Sequence, residues 1–342
     1  TNYKDVTDRY PMGSCAFLIN DTYSKSYNAE FDFTSQISQL QQIKTGFSIT
    51  YNTIFQDFFS YDASINGGRV IKSSADDHLT AGIYVQDKLE FQGFIANIGL
   101  RGDYRMTSQF PALDFDDVDN KETGPYSDYL LPGNTKGADD EGLTDFNTYD
   151  VIPLERISQF VVSPRLGISH PISTVGKLFF NYGHMFQWPS AYQTYRLQYN
   201  TQAGNRISDI GNPRLEPPRT IAYEIGYEQN ILNAASLRLT GYYKDINNEV
   251  DNTRYNFLAG GGYNTLRNGH FRDIRGLEAF LELRRGKIPF VSGWASYNYM
   301  VESGSDYGNF AYFEDPNQQP RQVSPEVSQP DVRPLLKVSA DF

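Results

Sequence analysis

Apolar and polar residues alternate with a period of two through most of this chain, and that alternation restricts the fold more than any other feature. Over 27–38 the odd positions read Tyr27, Ala29, Phe31, Phe33, Ser35 and Ile37, and the even ones Asn28, Glu30, Asp32, Thr34, Gln36 and Ser38. A helix would spread both sets around its circumference, whereas a strand sends each to its own face. The pattern returns at 43–56, with Ile43, Phe47, Ile49 and Tyr51 against Lys44, Ser48, Thr50 and Asn52. At 78–91 it sets Ile83, Val85, Leu89 and Phe91 against His78, Thr80, Gln86 and Lys88. A tight turn at Gln92-Gly93 leads into a return strand with Phe94, Ala96, Ile98 and Leu100 on one face and Asn97, Arg101 and Asp103 on the other. Further strands are expected at 158–170, 177–188, 219–229, 236–246, 271–284, 290–301 and 335–342. The sum is about eleven strands, many of them near the roughly nine to eleven residues of a tilted membrane strand rather than the five or six usual in soluble sheets.

The connections alternate in length. Short ones fall near 38–42, 92–93, 171–176, 230–235 and 285–289, and long ones near 59–77, 106–157, 189–218, 247–270 and 302–334. Such a sequence of short and long describes an up-and-down barrel with turns at one end and large loops at the other. No segment of 3.6-residue periodicity intervenes, which excludes an α/β arrangement.

Alternation by itself leaves open which face is wet, because a soluble β-sandwich writes the same pattern with the apolar set inward. Strand length, the two-sided loop asymmetry and aromatic residues gathered at strand ends favour a transmembrane barrel. Those aromatics are Phe55, Phe58, Phe59 and Tyr61, then Phe91 and Phe94, Phe186 and Trp188, and Phe290. Rings of this kind suit the headgroup level of a bilayer. No stretch approaches the roughly 18 consecutive apolar residues of a membrane helix, although 15% of the chain is aromatic. A barrel needs no such stretch, since only one face of each strand meets lipid. Asp87 is the exception to the pattern, falling among the outward positions; it is expected near the short-turn interface, where a charge costs about 0–1 kcal/mol.

A formal net charge of −11 argues against a nucleic-acid partner. The single cysteine, Cys15, says nothing about redox compartment. No basic and apolar leader opens the chain at Thr1, so the sequence reads as a mature protein or a fragment.

Signals for chemistry are sparse. His78, His170, His184 and His270 are scattered without metal-ligand spacing, no Ser-His-Asp or G-x-S-x-G arrangement is present, and Ala259-Gly260-Gly261-Gly262 lacks the Lys-Ser/Thr of a phosphate loop. No enzyme activity and no cofactor are expected. Asp114, Asp116, Asp117 and Asp119 offer hard oxygen ligands for calcium, but the run lacks the mid-loop glycine and closing glutamate of such sites, and a solvated acidic loop is the better reading. Tyr192, Tyr195, Tyr199, Tyr255 and Tyr263 fall in the long connections. Their flat amphipathic rings could grip a sugar, peptide or siderophore; packing of the loops upon themselves explains them equally well. Glu278 and Glu282 share one strand face, read as the lumen side.

Several segments resemble the barrel of TonB-dependent outer-membrane receptors. Tyr84-Val85-Gln86-Asp87 followed by Gly99-Leu100-Arg101-Gly102-Asp103 is similar to a strand pair of that family, and Ser163-Pro164-Arg165-Leu166-Gly167 to another strand opening. Met185-Phe186-Gln187-Trp188-Pro189 resembles the end of the strand that follows. The most specific match is Gly211-Asn212-Pro213-Arg214-Leu215-Glu216-Pro217, leading into Tyr223-Glu224-Ile225-Gly226, although Pro218 stands where the family carries an acidic residue. Arg275-Gly276-Leu277-Glu278 resembles a further recurrent strand.

The resemblance implies an all-β, antiparallel up-and-down transmembrane β-barrel in the outer membrane of a Gram-negative bacterium, with residues 1–342 supplying about eleven strands of a barrel of about 22. It implies uptake of a bulky scarce solute (siderophore, cobalamin, glycan or peptide), with long loops facing outward. Its partners would be outer-membrane lipid, a TonB-type energy-transducing complex acting through a plug domain that these residues do not include, and a surface lipoprotein. The alternative is a barrel or other β-rich surface protein that binds or adheres without transport. On this reading the chain is the front and middle of a larger barrel; alternatively, Leu336, Val338, Ala340 and Phe342 resemble a barrel's closing strand, while Pro334 suits an interior junction.

Deleting part of 106–157 is expected to leave the barrel folded and to alter solute capture, as checked by heat-modifiable gel mobility together with whole-cell binding.

Overall fold

In the computed structural model the described residues are 16–62, 67–111, 154–200, 206–256, 262–284, 291–305, 310–313, 321–322 and 330–341. They form one sheet of 15 strands. Eleven are long: β1 (Ala16–Ser38), β2 (Gln41–Asp62), β3 (Gly67–Phe91), β4 (Phe94–Pro111), β5 (Leu154–Pro171), β6 (Gly176–Phe186), β9 (Arg219–Ile231), β10 (Ala235–Asn256), β11 (Gly262–Leu283), β12 (Ser292–Ser305) and β15 (Asp331–Asp341). Each pairs antiparallel with the next in that order. Between β6 and β9 lie a short helix, α1 (Ala191–Tyr195), and two short strands, β7 (Leu197–Asn200) and β8 (Arg206–Ile210). Between β12 and β15 lie β13 (Phe310–Phe313) and β14 (Arg321–Gln322).

The alternation sorts the side chains as a barrel wall requires. Ile83, Phe160 and Leu277 are each 63% exposed, and Phe31, Phe33, Phe47, Ile49, Ile98, Ile225 and Leu239 are exposed on the same face. No second sheet covers them among the described residues. A soluble sandwich would have buried this set first, because each such side chain gains about 1.5–3 kcal/mol on leaving water. The opposite face is polar and bonded to itself. Tyr84 OH donates to Asp32 Oδ1 at 2.6 Å, Thr50 Oγ1 donates to Asn28 Oδ1 at 2.9 Å, and Arg101 meets Asp103 at 2.7 Å. Glu228 takes both Lys177 and Arg238 at 3.2 Å. Lys44, Lys88, Arg101, Arg238 and Glu282 occupy this face, as the pattern predicts.

Asp87 sits on the apolar face beside the turn between β1 and β2, where Gln41 Nε2 donates to its Oδ2 at 2.8 Å. The carboxylate is thus held close to the sheet's edge rather than at mid-height. At the next turn Gln92 and Gly93 both adopt positive φ, 48° and 81°, as a two-residue hairpin requires. Phe91 and Phe94 face each other across that turn, both exposed.

The paired strands run further than the alternation indicates. β2 and β3 stay in register to Asp62 and Gly67, and β10 and β11 to Asn256 and Gly262, so much of 59–77 and 247–270 is hairpin rather than loop. Register shifts interrupt these ladders between Ile54 and Gln56, between Met106 and Gln109, and between Ile246 and Val250. Each lies about 14 residues from its short turn. At about 3.3 Å per residue and about 45° of tilt, that is about 33 Å of height, close to a bilayer's hydrocarbon core. Bulges bend a strand, and these mark the rim at which the wall ends. β1 and β15 are the two edges; they do not pair with each other, and the described sheet is open.

Ile83→Arg is expected to cost about 2–4 kcal/mol of stability in a bilayer, and Thr80→Arg on the polar face far less. Equal folded yields of the two variants in a heat-modifiability gel would refute this facing.

Candidate functional site

At the rim the chain leaves the wall and crosses the polar face. After β6, residues 187–218 run through α1, the β7–β8 hairpin and the Gly-Asn-Pro segment before returning as β9. β7 pairs with β3 at Arg69–Ile71, and β8 meets β11 through Asn264 and Asp209. Along the wall, β3 and β11 are six strand-to-strand steps apart, about 29 Å at about 4.8 Å per step, whereas the route through β7 and β8 takes three, about 14 Å. The far ends of β3 and β11 therefore lean toward one another, as the bulges allow, and the hairpin straps them together.

The strap is held by residues of the polar face. Ser190 caps α1 by accepting from Gln193 N, while Gln193 Oε1 accepts from Ser190 N, the reciprocal arrangement that starts a helix without a long apolar stripe. Arg105, only 2% exposed, donates to Thr194 Oγ1 at 2.8 Å and lies 5.9 Å over the Trp188 ring. Ser108 N donates to Tyr195 OH at 3.1 Å, and Gln159 Nε2 to Leu215 O at 2.9 Å. Arg196 meets Asp209 at 3.3 Å and lies 5.0 Å over the Tyr192 ring.

The Gly-Asn-Pro segment is the strap's core. A Cβ on Gly211 would lie 2.6 Å from Thr194 O and 2.7 Å from Arg196 N, so only glycine lets the two backbones pass. Asn212 donates to Leu266 O at 2.9 Å and accepts from Arg214 N at 2.9 Å, folding the turn and tying it to β11. Ile210, Pro213 and Leu215 are fully buried. Asn268 completes the seam, accepting from Glu216 N and donating to Glu216 O and Asn248 O.

The tyrosines of the long connections separate in this frame. Tyr255 and Tyr263 are opposed across β10 and β11, stacked at 5.4 Å between centroids, and buried, Tyr263 completely. Tyr195, the last residue of α1, is buried, and Tyr192 is exposed. Tyr199 belongs to β7, and its side chain lies outside the described residues. Asp114, Asp116, Asp117 and Asp119 also lie outside them, and no cluster of three metal-ligating residues occurs among those described. The strand expected at 177–188 ends at Phe186, and Trp188, grouped by sequence with the lipid-facing aromatics, turns over the polar face to Arg105 instead. Arg105 and Asn268 escaped the sequence reading because each looks like an ordinary polar strand residue; only the Gly211-Asn212-Pro213 run marked the strap.

Residues 1–330 match the family model described as TonB dependent receptor-like, beta-barrel. The chain belongs to this family, whose members are receptors of the Gram-negative outer membrane and not enzymes. Among solved structures it is similar to one titled copper transporter OprC, with a TM-score of 0.55 and 11% identity over 84% of this chain and 39% of that one. It is also similar to the ferric yersiniabactin uptake receptor FyuA from Yersinia pestis, with a TM-score of 0.54 and 11% identity over 87% of this chain and 38% of that one. The chain thus spans less than half the length of these structures. No match is found among curated proteins.

Gly211→Ala is expected to dislodge the strap, and Asn212→Ala to cost about 1–3 kcal/mol through the unpaired Leu266 carbonyl and Arg214 amide. Limited proteolysis of folded barrels checks both: cleavage within 187–218 should rise in each variant while the wall stays resistant.

Proposed function

We propose that this chain is about half the wall of a closed barrel of about 22 strands, in a TonB-dependent receptor that imports a bulky, scarce solute. The observation that carries the reading is the pairing of an exposed apolar face with a self-bonded polar face crossed by a strap at one rim. A wall of that kind suits hydrocarbon outside and a wet, lined passage inside. The unpaired edges β1 and β15 would join further strands, since an open edge cannot persist in lipid. The long connections, 59–77, 106–157, 189–218, 247–270 and 302–334, would face outside the cell. Solute would meet this end first, with exposed Tyr192 among its contacts. A plug domain in the lumen would couple to an energised inner-membrane partner of TonB type, and a surface lipoprotein could cover the mouth. Siderophore, cobalamin, glycan and peptide all suit the architecture, and the titles of the similar structures name copper and ferric yersiniabactin.

Cells carrying the full-length receptor are expected to accumulate its solute in a way abolished by a protonophore or by loss of the energy-transducing partner. An epitope placed within 112–153 should be reached by antibody on intact cells. Surface binding with no energised accumulation would favour a binding or adhesion protein instead.

A further inference from the structure

A cleft of about 400 Å³ opens between the two roots of the strap and the bulged ends of β10 and β11. Gln187, Trp188 and Gln193 line one side, and Glu249, His270 and Arg272 the other. Its ionic groups are spent on one another. Arg272 is paired with Glu249 and, at 2.8 Å, with Glu302, and His270 meets Asp251 at 3.0 Å. Among the described residues no unpaired cation lines the cleft, and the chain as a whole carries −11, so an anionic chelate or phosphate finds no complement here. Bonding capacity is left over elsewhere in the lining. Gln193 Oε1 is engaged by Ser190, but Gln193 Nε2, the Gln187 side-chain amide and the second Glu249 oxygen have no partner among the described residues. The Trp188 indole, held beneath the Arg105 guanidinium, adds a flat apolar wall.

One flat apolar surface beside two uncharged amides and a carboxylate oxygen matches a ring with apolar C–H faces and a rim of hydroxyls. We infer that the cleft binds a neutral sugar ring, with one face against Trp188 and hydroxyls bonded to Gln187, Gln193 and Glu249. This rests on the reading of the chain as an uptake receptor and narrows its solute class to neutral oligosaccharides. The volume falls at the small end of the range for ligand pockets, enough for about one or two rings, with the remainder of a longer glycan extending over the lumen. A peptide is a poorer fit, since the strands beside the cleft, β10 and β11, are already paired on both sides and offer no edge to extend.

The test uses the full-length receptor in detergent and in cells. Its probes are an array of neutral glycans (α- and β-glucans, xylans, mannans and N-glycan cores), with ferric desferrioxamine and a tripeptide mixture as competitors for the assignment. At least one neutral glycan should bind, with Kd raised about thirtyfold by Trp188→Ala and about fivefold by Gln187→Ala. The Gln187 side chain is exposed and makes no hydrogen bond among the described residues, so its variant keeps the test valid if Trp188→Ala disturbs the fold. Absence of binding to every glycan, or binding untouched by Gln187→Ala, overturns the proposal. Energised accumulation of the iron chelate or peptides without glycan binding also overturns it while leaving transport intact. Glycan binding weakened by Gln187→Ala, without energised accumulation, supports the cleft and defeats the transport reading.

Discussion

Backbone pairing is the constraint on which everything else here depends. A wall that presents Ile83, Phe160 and Leu277 outward cannot leave peptide groups unbonded beside them, because hydrocarbon offers no replacement for water. The antiparallel ladder from β1 to β15 supplies those bonds, each long strand between the two edges pairing with a neighbour on both sides. With the backbone spent in this way, side chains alone define the two faces. Period-two alternation then becomes a physical necessity and not a statistical tendency.

The polar face has a different problem. Its residues must neither collapse into a dry core nor stand unpaired, and short-range bonding answers both needs. Tyr84 reaches Asp32 across β2, and Glu228 holds Lys177 and Arg238 from the strands on either side. Such pairs are individually weak in water, but together they stiffen a wall that lacks a hydrophobic interior. Among the described residues the largest buried apolar side chains lie at the rim, where Ile210 and Leu215 of the strap and Tyr255, Tyr263 and Leu266 of β10 and β11 are buried. Among the described residues the best-buried side chains therefore gather at the bulged rim, at the end where the long connections lie.

The wall was legible because its signal repeats. Strand faces, the short turns and the unusual place of Asp87 could all be read from parity and spacing; of the strand-end aromatics, Phe91 and Phe94 stand exposed beside their turn, Trp188 turns inward, and the side chains of Phe58, Phe59, Tyr61 and Phe290 lie outside the described residues. The strap was not legible in the same way. Arg105 reads as one more inward polar residue, yet it is nearly fully buried against Thr194 and Trp188, residues about ninety positions later. Tyr255 and Tyr263 read as loop residues because the polar runs around them hide a hairpin that continues past a bulge. Gly211 was conspicuous as part of a motif, but the reason for it, a crossing of two backbones, is a matter of distance in space.

By itself, then, the amino-acid order determined the class of structure, the facing of each strand and the end at which the long connections gather. These follow from local rules, since a two-residue repeat assigns faces and glycine or proline ends strands. Tertiary structure decided where the chain crosses the polar face, which tyrosines are buried, and where uncharged donors are left free around an indole. Those outcomes depend on bulges that bend β3 and β11 toward each other, bringing together side chains whose separation along the chain carries no trace of their contact.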